Sequence, residues 1–490
     1  MNCASRRTCR SWRKASPARH NDLWQYRRRY GGRLSAGRAQ SSRSGLRTGG
    51  CDRCADRGGS EALPERRCRL RLQAPRSVVT LRTTYASACH MDEGDTRGGD
   101  GIERDAIVDA AIDIIVRRGL TRLTLRPLAS SLGVSVGVIS AKIGAKDQLI
   151  ERVIDLAAER DQHFFDRWAA LAGRIAAGDR RTRAAVADLA FRDWTIASRQ
   201  QAIILIELVH RRALGNVASD RLDQWLTRAG IFWSTLVFGV PALADLALGY
   251  MLDEAGFALG AGGDPAYAAL RVLCLQRFAD GSIAHDHRGG PEIARLIAMM
   301  APDDLPIPAP DDPKRQHIAD SAARIIVSQG MNAATHRSVA AAAGVPASTV
   351  VYHFGGRAAL VVAGLHAVIA RFHGARDRAR AGGTAPTDDA EASDLVKATS
   401  MIALASMREP SLIPYALDMR RRRGENIRPI DLEALGFGRG AAAGHDRAAA
   451  QVVSIALFGM RMVAMGRALP EDAYHRSAFA ALDAWNSETR

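Results

Sequence analysis

Residues 104–149 overlay residues 315–360 at a constant offset of 211 without a gap, and 15 of the 46 positions are identical. The identities fall at Arg104, Ile107, Asp109, Ala111, Ile114, Ile115, Val116, Gly119, Thr124, Arg126, Ala129, Gly133, Val134, Gly144 and Leu149. Such an ordered match means that the chain is built from two similar units. A fainter likeness continues beyond the window: WSTLVFG at 233–239 faces VSIALFG at 453–459, and ILIELVHRR at 204–212 faces IPYALDMRR at 413–421. The repeat therefore extends past its head. Between the units, residues 299–315 carry five prolines and four aspartates, the composition of a semi-extended linker.

Charge divides the 490 residues differently. Residues 1–90 hold 21 Lys and Arg against 5 Asp and Glu, so the leader carries the whole net charge of +16. The other 400 residues hold 47 of each sign, so any DNA contact there rests on local patches. Six of the seven cysteines also lie in the leader, leaving Cys274 alone in the body, which fits a reducing cytosol. The leader lacks the apolar core of a secretory signal, and its Gly, Ser and Arg content reads as disorder. Composition turns acidic at Met91-Asp-Glu-Gly-Asp, so Met91 is a candidate start and residues 1–90 a translated upstream region. Cys51-Asp-Arg-Cys54 has no second paired CxxC, so no metal or cofactor is expected. The longest apolar run, residues 231–252, contains Gly239, Pro241 and Asp245. It reads as a buried helix, or as a helix pair at an oligomer interface, not as a membrane span.

Each repeated head reads as four helices. In the first, Ile107, Ala111, Ile114 and Ile115 share a helical face, and Gly119 closes that helix. Thr124 is placed to cap a second helix with Leu128, Ala129 and Leu132 inward, and Gly133-Val134 makes a tight turn. Ser135 caps a short third helix, and Lys146-Asp147 opens a long fourth. The second head repeats the plan with Ile318, Ala322, Ile325, Ile326, Gly330, Thr335, Val339, Ala340 and Gly344-Val345. Two short helices joined by a Gly turn are a helix-turn-helix, and the expected fold is all-α.

The order Ile-x-x-x-Ala, Gly, Thr-x-Arg-x-Leu-Ala, Gly-Val-Ser-x-Gly, then a basic residue before Leu resembles the tetracycline-repressor (TetR) family of bacterial transcription regulators. The resemblance covers about 50 residues in each half. It implies two tandem units: helix-turn-helix heads at 103–150 and 314–361, helical regulatory domains at 151–300 and 362–490, and a linker at 301–313. It also implies double-stranded DNA as partner. The third helix would enter the major groove with Ser135, Val136 and Gly137 in the first head and Ala347, Ser348 and Thr349 in the second. Arg126 and Arg337 would be the long basic arms, with Thr124 and Thr335 at phosphates. The family's Tyr-x-His-Phe sequence is Ser140, Ala141, Lys142 and Ile143 in the first head and Val351, Tyr352, His353 and Phe354 in the second. Ser140, Lys142, Tyr352 and His353 would then face the DNA backbone, as would Lys146 and Arg357. Phe238-Gly239 and Phe458-Gly459 would belong to a dimerising helix.

In the regulatory domain Trp168, Trp194 and Trp233 are candidates to line an apolar effector pocket, with Glu207 or His210 as polar anchors. No P-loop, nucleophile elbow or HExxH occurs, so no catalysis is expected. The expected activity is cytoplasmic, nucleoid-associated transcriptional control, more readily repression than activation, by a pseudo-dimer within one chain or by a homodimer. A second reading, a ligand sensor or protein-interaction scaffold with retired heads, stays open.

Overall fold

A computed structural model describes residues 102–175, 179–215, 219–281, 290–302, 312–380, 389–425, 427 and 447–488, and residues 97–490 form one compact unit. The leader, its cysteines and Met91 lie outside the described residues, as do linker residues 303–311. The described residues form α-helices, 3-10 turns and loops, with no strand among them.

The first segment holds α1 (Arg104–Arg118), α2 (Leu125–Leu132), α3 (Val136–Ile143), α4 (Lys146–Ile175), α5 (Arg180–Ile196), α6 (Arg199–Ala213), α7 (Asp220–Phe238), α8 (Ala244–Ala261), α9 (Pro265–Asp280) and α10 (Gly290–Met299). The second holds α11 (Pro313–Gln329), α12 (His336–Ala343), α13 (Ala347–Phe354), α14 (Arg357–Arg380), α15 (Asp389–Ser406), α16 (Ile413–Arg421), α17 (Arg447–Gly466) and α18 (Glu471–Glu488). α2 and α12, α3 and α13, and the starts of α4 and α14 recur at the 211-residue offset of the sequence, as do 3-10 turns at Leu120–Arg122 and Met331–Ala333.

The apolar periodicity explains the heads. Ile107, Ala111, Ile115, Leu128 and Ile139 are buried in the first, and Ile318, Ala322, Ile326, Val339 and Val350 at the same offset in the second. α1 packs on α2, α4 and α6, while α11 packs on α12, α14 and α15. α4 runs unbroken from the first head into the body.

The run at 231–252 is a helix pair. α7 ends at Phe238, Gly239 takes a left-handed φ of 81°, and a 3-10 turn at Pro241–Leu243 leads into α8. Gly239 therefore terminates a helix, whereas Gly459 lies inside α17, and the likeness of 233–239 to 453–459 is not matched by equivalent elements. α8 crosses α17, the most extensive helix contact of the body. At the crossing a Cβ on Gly459 would lie 1.9 Å from the carbonyl oxygen of Gly249, so backbone meets backbone and only glycine fits. α17 is long and apolar enough to cross a membrane, but 83% of its apolar window is buried in the body.

Charge also crosses this seam. Glu254 of α8 pairs with Arg420 of α16, and Asp253 pairs with Arg423 just beyond it. All four side chains are buried. Gln451 of α17 accepts from Arg420 Nη1 at 2.8 Å, extending the network to a third helix.

Candidate nucleic-acid interface

Gly133 ends α2 at φ 67°, ψ 24°, and Gly344 ends α12 at φ 64°, ψ 30°, both in the left-handed region. The following Val134 and Val345 donate back to the Ala129 and Ala340 carbonyls at 3.0 Å, completing the same closing turn. The turn between the second and third helices thus has the same conformation and closing bond in both heads.

The caps differ in a complementary way. Ser135 caps α3 by accepting from Val138 N at 3.3 Å, whereas Pro346 stands at the corresponding position before α13 and offers no side-chain cap. Thr335 caps α12 in a reciprocal box with Ser338. Thr124 makes no such bond, because the residue three positions on is Pro127, which has no N–H to donate.

Most of the candidate DNA residues share exposed positions on these helices. Thr124, Arg126, Ser135, Val136, Gly137 and Ser140 are exposed in the first head, and Thr335, Arg337, Ala347, Ser348 and Tyr352 in the second, with Thr349 half-buried. Arg126 and Arg337 make no hydrogen bond or ion pair among the described residues, so both guanidinium groups remain available. Tyr352 is 85% exposed and stands edge-on to the His353 ring at 5.2 Å.

Three other candidates already bind the protein itself. Lys142 donates to the Ile102 carbonyl at 2.7 Å. His353 sits 3.3 Å from the carboxylate of Asp312, which also caps α11 by accepting from Lys314 N. At the same position in each head, a basic side chain thus ties the end of the third helix to the start of the first. Arg357 donates to Met331 O at 3.0 Å and Asn332 Oδ1 at 3.2 Å. Burial lowers its pKa, and Arg122 of the first head pushes the same way. Burial also lowers the pKa of Lys146, helped by Arg211 and opposed by Asp147. Ile143 and Phe354 are both buried, and Arg315 covers the Phe354 ring at 5.4 Å.

The candidate effector residues divide into two groups. Trp168, Trp194 and Trp233 join Phe164, Phe165, Phe191 and Phe232 in an aromatic cluster among α4, α5 and α7, with Trp194 and Trp233 edge-to-face at 5.6 Å. Trp168 Nε1 donates to Asp193. Sequence reasoning missed the cluster's polar centre. Asp161 is fully buried and accepts from Trp194 Nε1 at 2.9 Å and Trp225 Nε1 at 2.8 Å. Burial pushes its carboxyl up to about 7 against those two donors and Arg228.

Glu207 and His210 instead face the seam with the second segment. Glu207 Oε1 accepts from Arg408 Nη1 at 2.7 Å, and Leu120 N approaches its Oε2 at 3.4 Å. Arg408 also donates to the Ile115 and Val116 carbonyls, so a residue of the second segment closes the C-terminus of α1. Arg408 was not singled out in the sequence, although it stands in a stretch, REPSLIP, that continues into the faint repeat of α6.

No curated protein matches the chain. Residues 318–363, spanning most of α11, all of α12 and α13 and the start of α14, match the family model for bacterial regulatory proteins of the tetR family. The second head is therefore similar to the N-terminal domain of those regulators.

Proposed function

We propose that the chain is a single-chain transcriptional regulator of the TetR type, a pseudo-dimer that presents both heads to one DNA operator and represses by occupancy. The observation that carries this reading is the recurrence of the head geometry 211 residues on, with the same left-handed glycine turn and an unpartnered arginine on each second helix. The seam of α8 with α16 and α17 supports it by joining the two halves through glycine contact and buried ion pairs. Binding DNA, not catalysing a reaction, is the role this arrangement suits.

Because the third helices carry Ser135-Val136-Gly137-Val138 in one head and Pro346-Ala347-Ser348-Thr349 in the other, the operator has two dissimilar half-sites. Their centres lie about 34–36 Å, or one DNA turn, apart. Selection from random DNA followed by footprinting tests this. A bipartite, non-palindromic site is the expected result. A perfect palindrome would mean that two chains each use one head, and absence of any DNA binding would favour the sensor or scaffold reading. Control by a small molecule follows from a guest that binds one arrangement of the two heads better than another.

A further inference from the structure

We propose that a small, mostly apolar molecule carrying one hydrogen-bond donor binds in the seam between the two segments at His210, and that its entry alters the hold on the first head. This deepens the regulator reading and rests on it for its biological meaning.

A narrow cleft lies between α6 and α8 of the first segment and α15 and α17 of the second. Ile206, Val209, Leu252, Ala403 and Met462 make its wall largely apolar. His210 lines it, is only 6% exposed, and its Nε2 has no hydrogen-bond partner. An unpaired nitrogen in such a place is costly to keep and marks a position where a partner belongs. The neighbouring Asp253 does not supply one: its carboxylate is turned to Arg423, at 2.7 and 3.0 Å, and makes no bond to the ring.

The chemistry of the guest follows from the ring. Burial holds the imidazole below its ordinary pKa and therefore neutral, with the nearby Glu207 carboxylate and a hydrogen bond to the Lys397 backbone opposing. A neutral ring that donates to that backbone from Nδ1 leaves Nε2 as an acceptor. The guest must then donate, as an alcohol or phenol does. The enclosed space is about 20 Å³, room for about one water, so a larger guest has to part α6 from α15 and α17.

That movement has a defined consequence. Glu207 lies one turn before His210 on α6 and faces both Leu120 of the first head and Arg408 of the second segment. Arg408 in turn holds the Ile115 and Val116 carbonyls of α1. Parting the seam therefore works directly on the contacts that fix the first head.

Titrating the full chain with phenol and with toluene, alone and on its selected operator, tests the proposal. The wild type should bind phenol at least about tenfold more tightly than toluene, and phenol should weaken operator binding about tenfold or more. His210→Phe removes the acceptor. Gly256→Ala adds a methyl to the cleft 3.5 Å from Ala403 Cβ, an ordinary contact that leaves His210 intact. Each variant should lose phenol affinity about tenfold and keep operator affinity. Unchanged phenol affinity in both variants, or no phenol binding by a wild type that binds its operator, overturns the site and leaves a lone water as the occupant. His210-dependent phenol binding by a chain that binds no DNA would support the site and strike the regulator reading instead.

Discussion

Arg420 holds both carboxylate oxygens of Glu254, with Nη2–Oε2 at 2.8 Å and Nε–Oε1 at 3.0 Å, and neither side chain reaches solvent. Tyr267 Oη donates to the same carboxylate at 2.8 Å. Removing one partner leaves a charge stranded in the seam. Arg420→Ala should therefore cost about 3–5 kcal/mol, measured as a fall in urea-unfolding stability. The double variant Arg420→Met with Glu254→Leu should lose less than Arg420→Ala alone, since no uncompensated charge remains. A loss below about 1 kcal/mol in Arg420→Ala would show that water reaches the pair.

Gly459→Ala tests the helix crossing. Its new Cβ would fall on the Gly249 carbonyl and force α8 and α17 apart. The expected destabilisation is about 1–3 kcal/mol, larger for Gly459→Val, read from thermal unfolding. Gly263→Ala, where a Cβ meets nothing within 4 Å, is the control and should stay within about 0.5 kcal/mol. Equal melting temperatures for all the variants would mean that the crossing is looser than its backbone contact implies.

The heads were legible because their rules are local. Glycine turns at 133 and 344, apolar faces at 3.6-residue spacing and the Ser135 cap all follow from residues within a few positions of one another. The resemblance placed Gly239 and Gly459 alike in a dimerising helix, but Gly239 ends a helix, and Gly459 instead meets Gly249 where α8 and α17 cross. Lys142 and His353 were expected at the DNA backbone because they stand at the His position of the family's Tyr-x-His-Phe sequence. Their partners, Ile102 and Asp312, lie 40 and 41 positions upstream. Glu254 with Arg420 and Glu207 with Arg408 are separated by 166 and 201 residues. No spacing rule reaches that far, so the seam emerges only with the fold.

Asp161 makes stability depend on pH. Its pKa rises from 3.8 to about 7 because burial disfavours the carboxylate. Between those values the folded chain holds a proton that the unfolded chain has released, so stability falls as pH rises. The change is complete near pH 7, and the upper bound is about 4 kcal/mol from the size of the shift. Urea midpoints should drop between pH 5 and pH 8 in the wild type. Asp161→Asn cannot titrate and should remove this contribution, while losing one of the two indole hydrogen bonds. Parallel pH profiles for the two proteins would mean that Asp161 is ionised throughout.

DNA binding separates the exposed arginines from the tethered cations. Arg337 is exposed and unpartnered on α12, so Arg337→Ala should weaken operator binding about five- to tenfold, and a phosphate contact there would lower the salt slope by about 1. Arg126→Ala should do the same if the first head engages DNA. Without that engagement only the second head's variants respond, and the operator shrinks to one half-site. Lys142→Ala behaves differently, because its ammonium already holds the Ile102 carbonyl. It should lower the stability of the first head, seen as faster amide exchange in α1 and α3, and leave the salt slope nearly unchanged. A slope reduced as much by Lys142→Ala as by Arg126→Ala would show that the lysine leaves Ile102 for phosphate when DNA arrives.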